Sequence, residues 1–215
     1  IRDVLGSRGL GDVYKRQPEQ DEEGAHDIDK LDGDVILNHV KFSYDTGKTI
    51  LKDACIHARR GETVAIVGPT GAGKTTIINL LTKFYDIDSG DILIDGVNID
   101  HITRSSLRRS ISMVLQDTYL FGETVRENIR YGRLNATDEE IIEAAKMANA
   151  HKFIMQLPDG YDTVLSDNGS NLSQGQRQLL AIARAVLSQS SILILDEATS
   201  SIAVSYTHLT LPTTP

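Results

Sequence analysis

The chain has 215 residues, enough for one domain or one core with a small subdomain, and 40% of them are hydrophobic, enough to fill that core. A formal net charge of −8 argues against non-specific nucleic-acid binding. No run approaches the ~20 apolar residues of a membrane-spanning helix and no signal-peptide pattern opens the chain; the single cysteine, Cys55, excludes an internal disulfide and fits a reducing compartment.

The two ends fit no pattern found between them. Residues 12–17 can be encoded by a DNA segment whose reverse complement, read one base out of frame, encodes 204–209; that segment resembles the transposase adaptor of sequencing libraries. Residues 1–17 and 203–215 are therefore expected to be adaptor-derived and to carry no information about the fold. Residues 18–34 hold eight acids against Lys30 and read as a solvated acidic linker. The folded part is expected over 35–202.

Over 35–44, Val40, Phe42 and Tyr44 alternate with polar residues in strand fashion. Residues 45–48 are a turn and 49–58 the returning strand, so a small antiparallel β subdomain opens the fold. Cys55 lies in that second strand and reads as a small core residue. Tyr44 sits at a strand end, where its ring either packs or offers a face to an adenine. Residues 62–67 are a β-branched run suited to a buried strand, and 76–81 read as a helix. Between them Gly68, Pro69, Thr70, Gly71, Ala72, Gly73, Lys74 and Thr75 satisfy G-x-x-x-x-G-K-[ST], the phosphate-binding loop. The glycines let the backbone bend around an anion and aim N–H groups at it, and the helix N-terminus adds partial positive charge. Lys74 would neutralise the β- and γ-phosphates and the Thr75 hydroxyl would coordinate Mg²⁺. The expectation is a chain that binds a nucleoside triphosphate.

Residues 88–91 read as a turn, 92–96 as a short strand and 111–115 as a buried strand ending at Gln116, which either coordinates Mg²⁺ or a water or simply caps the strand. From 123 to 150 the periodicity turns helical: Thr137 and Glu140 make a capping box, and Ile141, Ile142, Ala145 and Ala148 an apolar stripe. Ser173 is a natural N-cap for a helix over 174–187; with Gly175 it offers a second anion-binding surface. Residues 191–197 form a hydrophobic strand ending in two carboxylates, Asp196 to hold Mg²⁺ and Glu197 to polarise an attacking water.

In this order and spacing, 68–76, Gln116, 172–176 and 192–197 resemble the nucleotide-binding domain of ABC (ATP-binding cassette) proteins. Leu172, Ser173, Gln174, Gly175 and Gln176 discriminate: they look like the ABC signature with Gln at its third place. The resemblance covers roughly 35–202 and implies an α/β fold, a P-loop NTPase with a RecA-like core, an N-terminal antiparallel β subdomain and an α-helical signature subdomain. Residues 117–121 followed by 124–129 look like an exporter half-transporter of the multidrug and lipid type, the linker joining a membrane domain fused upstream. The family implies two cassettes, as a homo- or heterodimer, facing head to tail with ATP between one phosphate loop and the other signature. Tyr44 would stack on adenine; Gly68, Thr70, Gly71, Ala72, Gly73, Lys74, Thr75 and Thr76 would hold the phosphates. Thr75, Gln116 and Asp196 would set Mg²⁺, Glu197 would be the general base, with Gln116 and Lys74 also catalytic, and Leu172–Gln176 would serve the partner's ATP. The segment after Gln116 would touch the membrane domain, placing the cassette at the cytoplasmic face of the cell membrane with no nucleic-acid partner.

Three positions depart from the family pattern. Ala203 stands where an aspartate follows Ile202, which truncation into the adaptor explains. The later switch histidine is absent, and residues 165–169 replace a glutamate often found before the signature. Impaired turnover is the expectation for this chain. An importer's separate ATP-binding subunit is a second reading. A soluble DNA-repair or chromosome ATPase is a third, disfavoured because no sustained heptads lie between Lys74 and Ser173.

Overall fold

The structure, a computed structural model, describes residues 21–44, 47–115, 118–166 and 169–196. Gln116, Glu197 and both adaptor-like ends, singled out from the sequence, lie outside the described residues.

β1 (Val35–Ser43) and β2 (Thr49–Ala58) form the expected antiparallel pair. The sheet is wider than that hairpin: β3 (Ser89–Ile94) joins the other edge of β1 and β4 (Val97–Asn98) joins β3, in the order β2-β1-β3-β4. Ser89 and Gly90, read as turn residues, thus begin a strand. The inward faces of the sheet bury Val35, Leu37, Val40, Phe42, Leu51, Ile92 and Ile94. α1 (Lys74–Leu81) covers this core with Ile77 and Leu80, and α2 (Arg104–Arg109) adds Leu107. Each such buried aliphatic side chain stabilises the fold by about 1.5–3 kcal/mol.

A second core is helical. α3 (Val125–Arg130), α4 (Asp138–Met147), α5 (His151–Ile154) and α6 (Gln174–Ser188) bury Ile129, Ile141, Ala145, Ile154, Leu180 and Ile182. The α4 capping box is present, Thr137 Oγ1 accepting from Glu140 N–H and Glu140 from Thr137 N–H. Between the cores lie β5 (Ile111–Val114) and β6 (Ile192–Leu195), a parallel pair. Ile111, Ile192 and Ile194 pack toward the sheet core while Val114 and Leu193 pack toward the helical one. Antiparallel subdomain, parallel strands and helical subdomain are the architecture expected of a P-loop NTPase of this type. No described helix is long and apolar enough to cross a membrane.

Other expectations fail as well. Residues 62–67 pair with no strand among the described residues, and Val64, Ile66 and Val67 are 41%, 42% and 88% exposed. Strand propensity measures fit to a covered, pleated surface, and the two-stranded β5–β6 sheet does not provide one for this run. Cys55 is exposed rather than buried: the pairing shifts between Phe42–Leu51 and Val40–Ala54, so beyond Leu51 the inward positions of β2 are Ala54, Ile56 and Ala58, and Cys55 faces out. The acidic linker is also more ordered than a solvated tether. Asp27 accepts from Ser106 Oγ at 3.0 Å and Asp21 from Arg104 N–H at 2.8 Å. The Asp95 carboxylate gathers the N–H groups of Asp32, Gly33 and Asp34 at 2.6, 3.0 and 2.8 Å, and Leu31 is buried.

Candidate nucleotide site

The phosphate loop closes into α1 through Gly73, whose φ of 92° belongs to the left-handed region and which serves as the helix N-cap. A Cβ there would lie 2.7 Å from Leu51 Cδ2, so both backbone and neighbour require glycine. No side chain caps α1; the orphan N–H groups of a first turn seek an anionic partner. Lys74 folds over the loop, its Nζ donating to the carbonyls of Gly68 at 2.7 Å and Pro69 at 3.0 Å. The same ammonium is thus held at the loop mouth with weak, neutral partners that a phosphate oxygen would outcompete. Thr75 is exposed, whereas Thr76 is buried.

Tyr44 reaches this helix. Its Oη lies 3.2 Å from Thr76 Oγ1, and its ring stands edge-on to Phe42 at 4.8 Å and to Tyr85 at 5.2 Å between centroids. The aromatic side chain at the strand end and the phosphate loop therefore belong to one surface.

At the other parallel strands, Val114 pairs with Leu195, so β5 and β6 end level with each other. Asp196 N–H donates to Val114 O at 2.9 Å, fixing the half-buried Asp196 at that level. The 172–176 stretch opens α6 as expected, with Leu172 buried and Ser173 as N-cap. Its capping box uses Gln176: Ser173 Oγ accepts from Gln176 N–H at 3.3 Å and Gln176 Oε1 from Ser173 N–H at 2.9 Å. Gly175 faces open space, with no atom within 4 Å of a would-be Cβ. Because α1 rests on the sheet core and α6 on the helical core, loop and signature belong to separate bodies of packing. A cavity of about 620 Å³ lined by Ile28, Arg108, Arg109, Met113, Arg184 and Ser188 includes none of these residues.

The sequence reading did not single out Asn128. It is 1% exposed; its Nδ2 donates to Phe121 O at 3.0 Å and Thr124 O at 3.0 Å, while Oδ1 accepts from Phe121 N–H at 2.9 Å and Arg184 at 3.2 Å. Arg184 lies over Phe121 and Tyr131 at 5.5 and 5.4 Å, and burial pulls its guanidinium below the ordinary arginine value. Together they shape the segment after Gln116. A polar residue inside a helical apolar pattern was the available signal.

A glycine-lined loop entering an uncapped helix, on a scaffold of parallel strands and helices, defines a P-loop nucleotide-binding domain. Residues 51–200 match the ABC transporter family, and the chain belongs to that family, whose ATP-binding domain is an ATPase. It is 52% identical over 200 residues to the uncharacterized ABC transporter ATP-binding protein YfiC of Bacillus subtilis, covering 93% of this chain and 33% of that protein. It is 52% identical over 186 residues to the fatty acid ABC transporter ATP-binding/permease protein of Mycobacterium bovis, covering 86% of this chain and 30% of that one. A putative multidrug export ATP-binding/permease protein of Staphylococcus aureus is 54% identical over 180 residues, covering 83% and 31%. The solved structure of a bacterial Atm1-family ABC exporter with ATP bound superposes with a TM-score of 0.80 at 43% identity, over 85% of this chain and 32% of that one. The chain thus spans about a third of the length of the relatives it matches.

Proposed function

We propose that this chain is the ATP-binding and ATP-hydrolysing cassette of a membrane exporter, working as one of a head-to-tail pair at the cytoplasmic face. The observation that carries the reading is the phosphate loop itself: Gly73 forced into the left-handed region, an uncapped α1, and Lys74 Nζ 2.7 Å from the Gly68 carbonyl. The exporter reading, over the importer subunit, is supported by relatives whose names join ATP-binding and permease in one chain and by the fold's likeness to an exporter.

In this reading the N–H groups of 71–76 and the Lys74 ammonium bind the β- and γ-phosphates, displacing the Gly68 and Pro69 carbonyls from Nζ. Tyr44, already fixed against Thr76, presents its ring to the adenine. The exposed Thr75 hydroxyl, Gln116 and Asp196 are hard oxygen donors of the kind Mg²⁺ takes, and when bound it would neutralise phosphate charge. Glu197 holds the attacking water as general base. Ser173, exposed at the start of α6, and Gly175, with open space where a side chain would stand, contact the partner's nucleotide. The catalytic gain is positioning and charge neutralisation of the γ-phosphoryl group.

The test is titration of the chain with a fluorescent ATP analogue, with and without Mg²⁺, beside Lys74→Ala. Saturable binding weakened at least tenfold by Lys74→Ala is expected. Equal binding by both proteins would remove the loop from the site and end the proposal.

A further inference from the structure

On the outer face of the β1–β2 pair, three side chains of different chemistry converge. His39 Nδ1 lies 2.8 Å from Asp53 Oδ1 and 3.7 Å from Cys55 Sγ, and the three atoms all lie within 4.8 Å of one another. The convergence is built into the backbone. Asp53 and Cys55 are alternate residues of β2 and share a face. Leu37 pairs with Ile56 and Val40 with Ala54, so Asn38 and His39 both oppose Cys55, a bulge of two residues against one. A bulge re-aims side chains, and here it sets His39 over the face of Asp53 and Cys55. His39 takes φ 51°, an uncommon conformation for a non-glycine residue. The neighbouring strand accommodates it: at Gly90, φ 96°, a Cβ would strike the His39 carbonyl oxygen at 2.5 Å.

We propose that His39, Asp53 and Cys55 form a binding site for a divalent transition-metal ion of the zinc type. One imidazole nitrogen, one carboxylate oxygen and one thiolate are the N, O and S donors Zn²⁺ accepts, and the exposed face leaves a fourth position for water. Tetrahedral metal–ligand bonds of ~2.0–2.3 Å place neighbouring donors about 3.3–3.8 Å apart. The His39–Cys55 separation falls in that range, and the His39–Asp53 hydrogen bond opens by about half an ångström to reach it. On binding, His39 meets the metal through Nδ1 with its ring proton moved to Nε2, and the Cys55 thiol proton leaves to solvent, so one proton is released per metal bound. The site is separate from the phosphate loop and ties β1 to β2.

Cys55 is the chain's single cysteine, so a thiolate-to-metal charge-transfer band can report on no other place within it. The experiment is titration of the full, reduced chain with Co²⁺ in the absence of nucleotide, followed by competition with Zn²⁺ and native mass spectrometry. Expected are a near-ultraviolet charge-transfer band saturating at one metal per monomer, its loss in Cys55→Ser, and at least tenfold weaker binding in His39→Ala. Asp53→Asn should weaken it several-fold, with the circular dichroism of all three variants unchanged. The proposal fails if no such band appears, if His39→Ala leaves the affinity unaltered, or if the metal is found only between two chains. Should His39→Ala misfold, protection of Cys55 from alkylation by Zn²⁺ in the unaltered chain decides: protection supports the site, unchanged alkylation refutes it.

Discussion

Gly73 is where the phosphate loop and the fold depend on the same atom. Replacing it with alanine imposes two costs. An L-residue at φ 92° is strained by roughly 1–2 kcal/mol. The new Cβ also falls 2.7 Å from Leu51 Cδ2 and 3.3 Å from Ile50 Cγ2. Leu51 is buried in the sheet core, so it moves only by disturbing its neighbours, at a cost of about 1–3 kcal/mol. The sum is about 3 kcal/mol, or a fall in Tm of roughly 6–12 °C for a chain of this size. Gly61 supplies the control: its φ is 73° but no atom lies within 4 Å of a would-be Cβ, so Gly61→Ala carries strain alone, about 1 kcal/mol. Thermal unfolding followed by circular dichroism separates the two variants. The fluorescent ATP analogue should also bind Gly73→Ala at least tenfold more weakly while Gly61→Ala binds normally. Equal Tm values for the two variants would show that Leu51 yields freely and would refute the packing argument.

Asn128→Ala should cost about 3–4 kcal/mol in urea unfolding, since it strands the Phe121 N–H, several carbonyls and an Arg184 contact in a buried place; Asn128→Asp, which keeps only the acceptor, should fall between the two. Lys83 is a buried ammonium whose Nζ lies 3.1 Å from Asp100, itself 47% exposed at the side chain. Asp100→Asn should therefore cost about 1–3 kcal/mol, less than for a fully buried pair, and Lys83→Met in that background should restore most of it; no recovery would mean the ammonium is hydrated. Hydrogen bonds from Thr103 first and Ser106 second hold the Asp27 carboxyl below the ordinary aspartate range. With the folded value depressed, this contribution is fully present above the ordinary aspartate pKa and is lost as pH falls through the lowered folded value. Pepsin cleavage within 21–34 should set in only below the ordinary aspartate range, and Asp27→Asn should remove that threshold; release of the segment at higher pH would refute the anchor.

The elements with strong local signals were legible. Alternation gave β1 and β2, the Thr137–Glu140 pair marked the start of α4, and Ser173 marked α6, because caps and side-chain periods are set within a few residues. What escaped depends on distant chain. β3 and β4 joining β1, and Cys55 facing outward, are matters of register and pairing across the sheet. The 62–67 run has strand propensity without a covered surface to sit on. At the site, the G-x-x-x-x-G-K-[ST] spacing was enough to expect a bent glycine loop leading into a helix, since that loop makes its own geometry; the left-handed φ of Gly71 and Gly73 came with the structure. The Tyr44–Thr76 contact was not readable, because it joins residues on different strands and helices.

The two helix N-termini of the proposed site are in opposite states, which orders their use. α1 has no side-chain cap, so its first-turn N–H groups gain most from an anion. α6 is capped by its own Ser173 and Gln176, so it is satisfied without a ligand. Nucleotide should therefore bind first at Lys74 and its loop, and the signature should engage only when a second chain presents its nucleotide. Ser173→Ala tests this order. Loss of the capping box should lower stability by about 1 kcal/mol, yet the affinity of a dilute, monomeric chain for the ATP analogue should stay within about twofold, a difference under ~0.5 kcal/mol. Association of two chains on nucleotide, measured by sedimentation, should be lost in the same variant. A tenfold weaker monomer would place Ser173 at the chain's own nucleotide and overturn the head-to-tail arrangement.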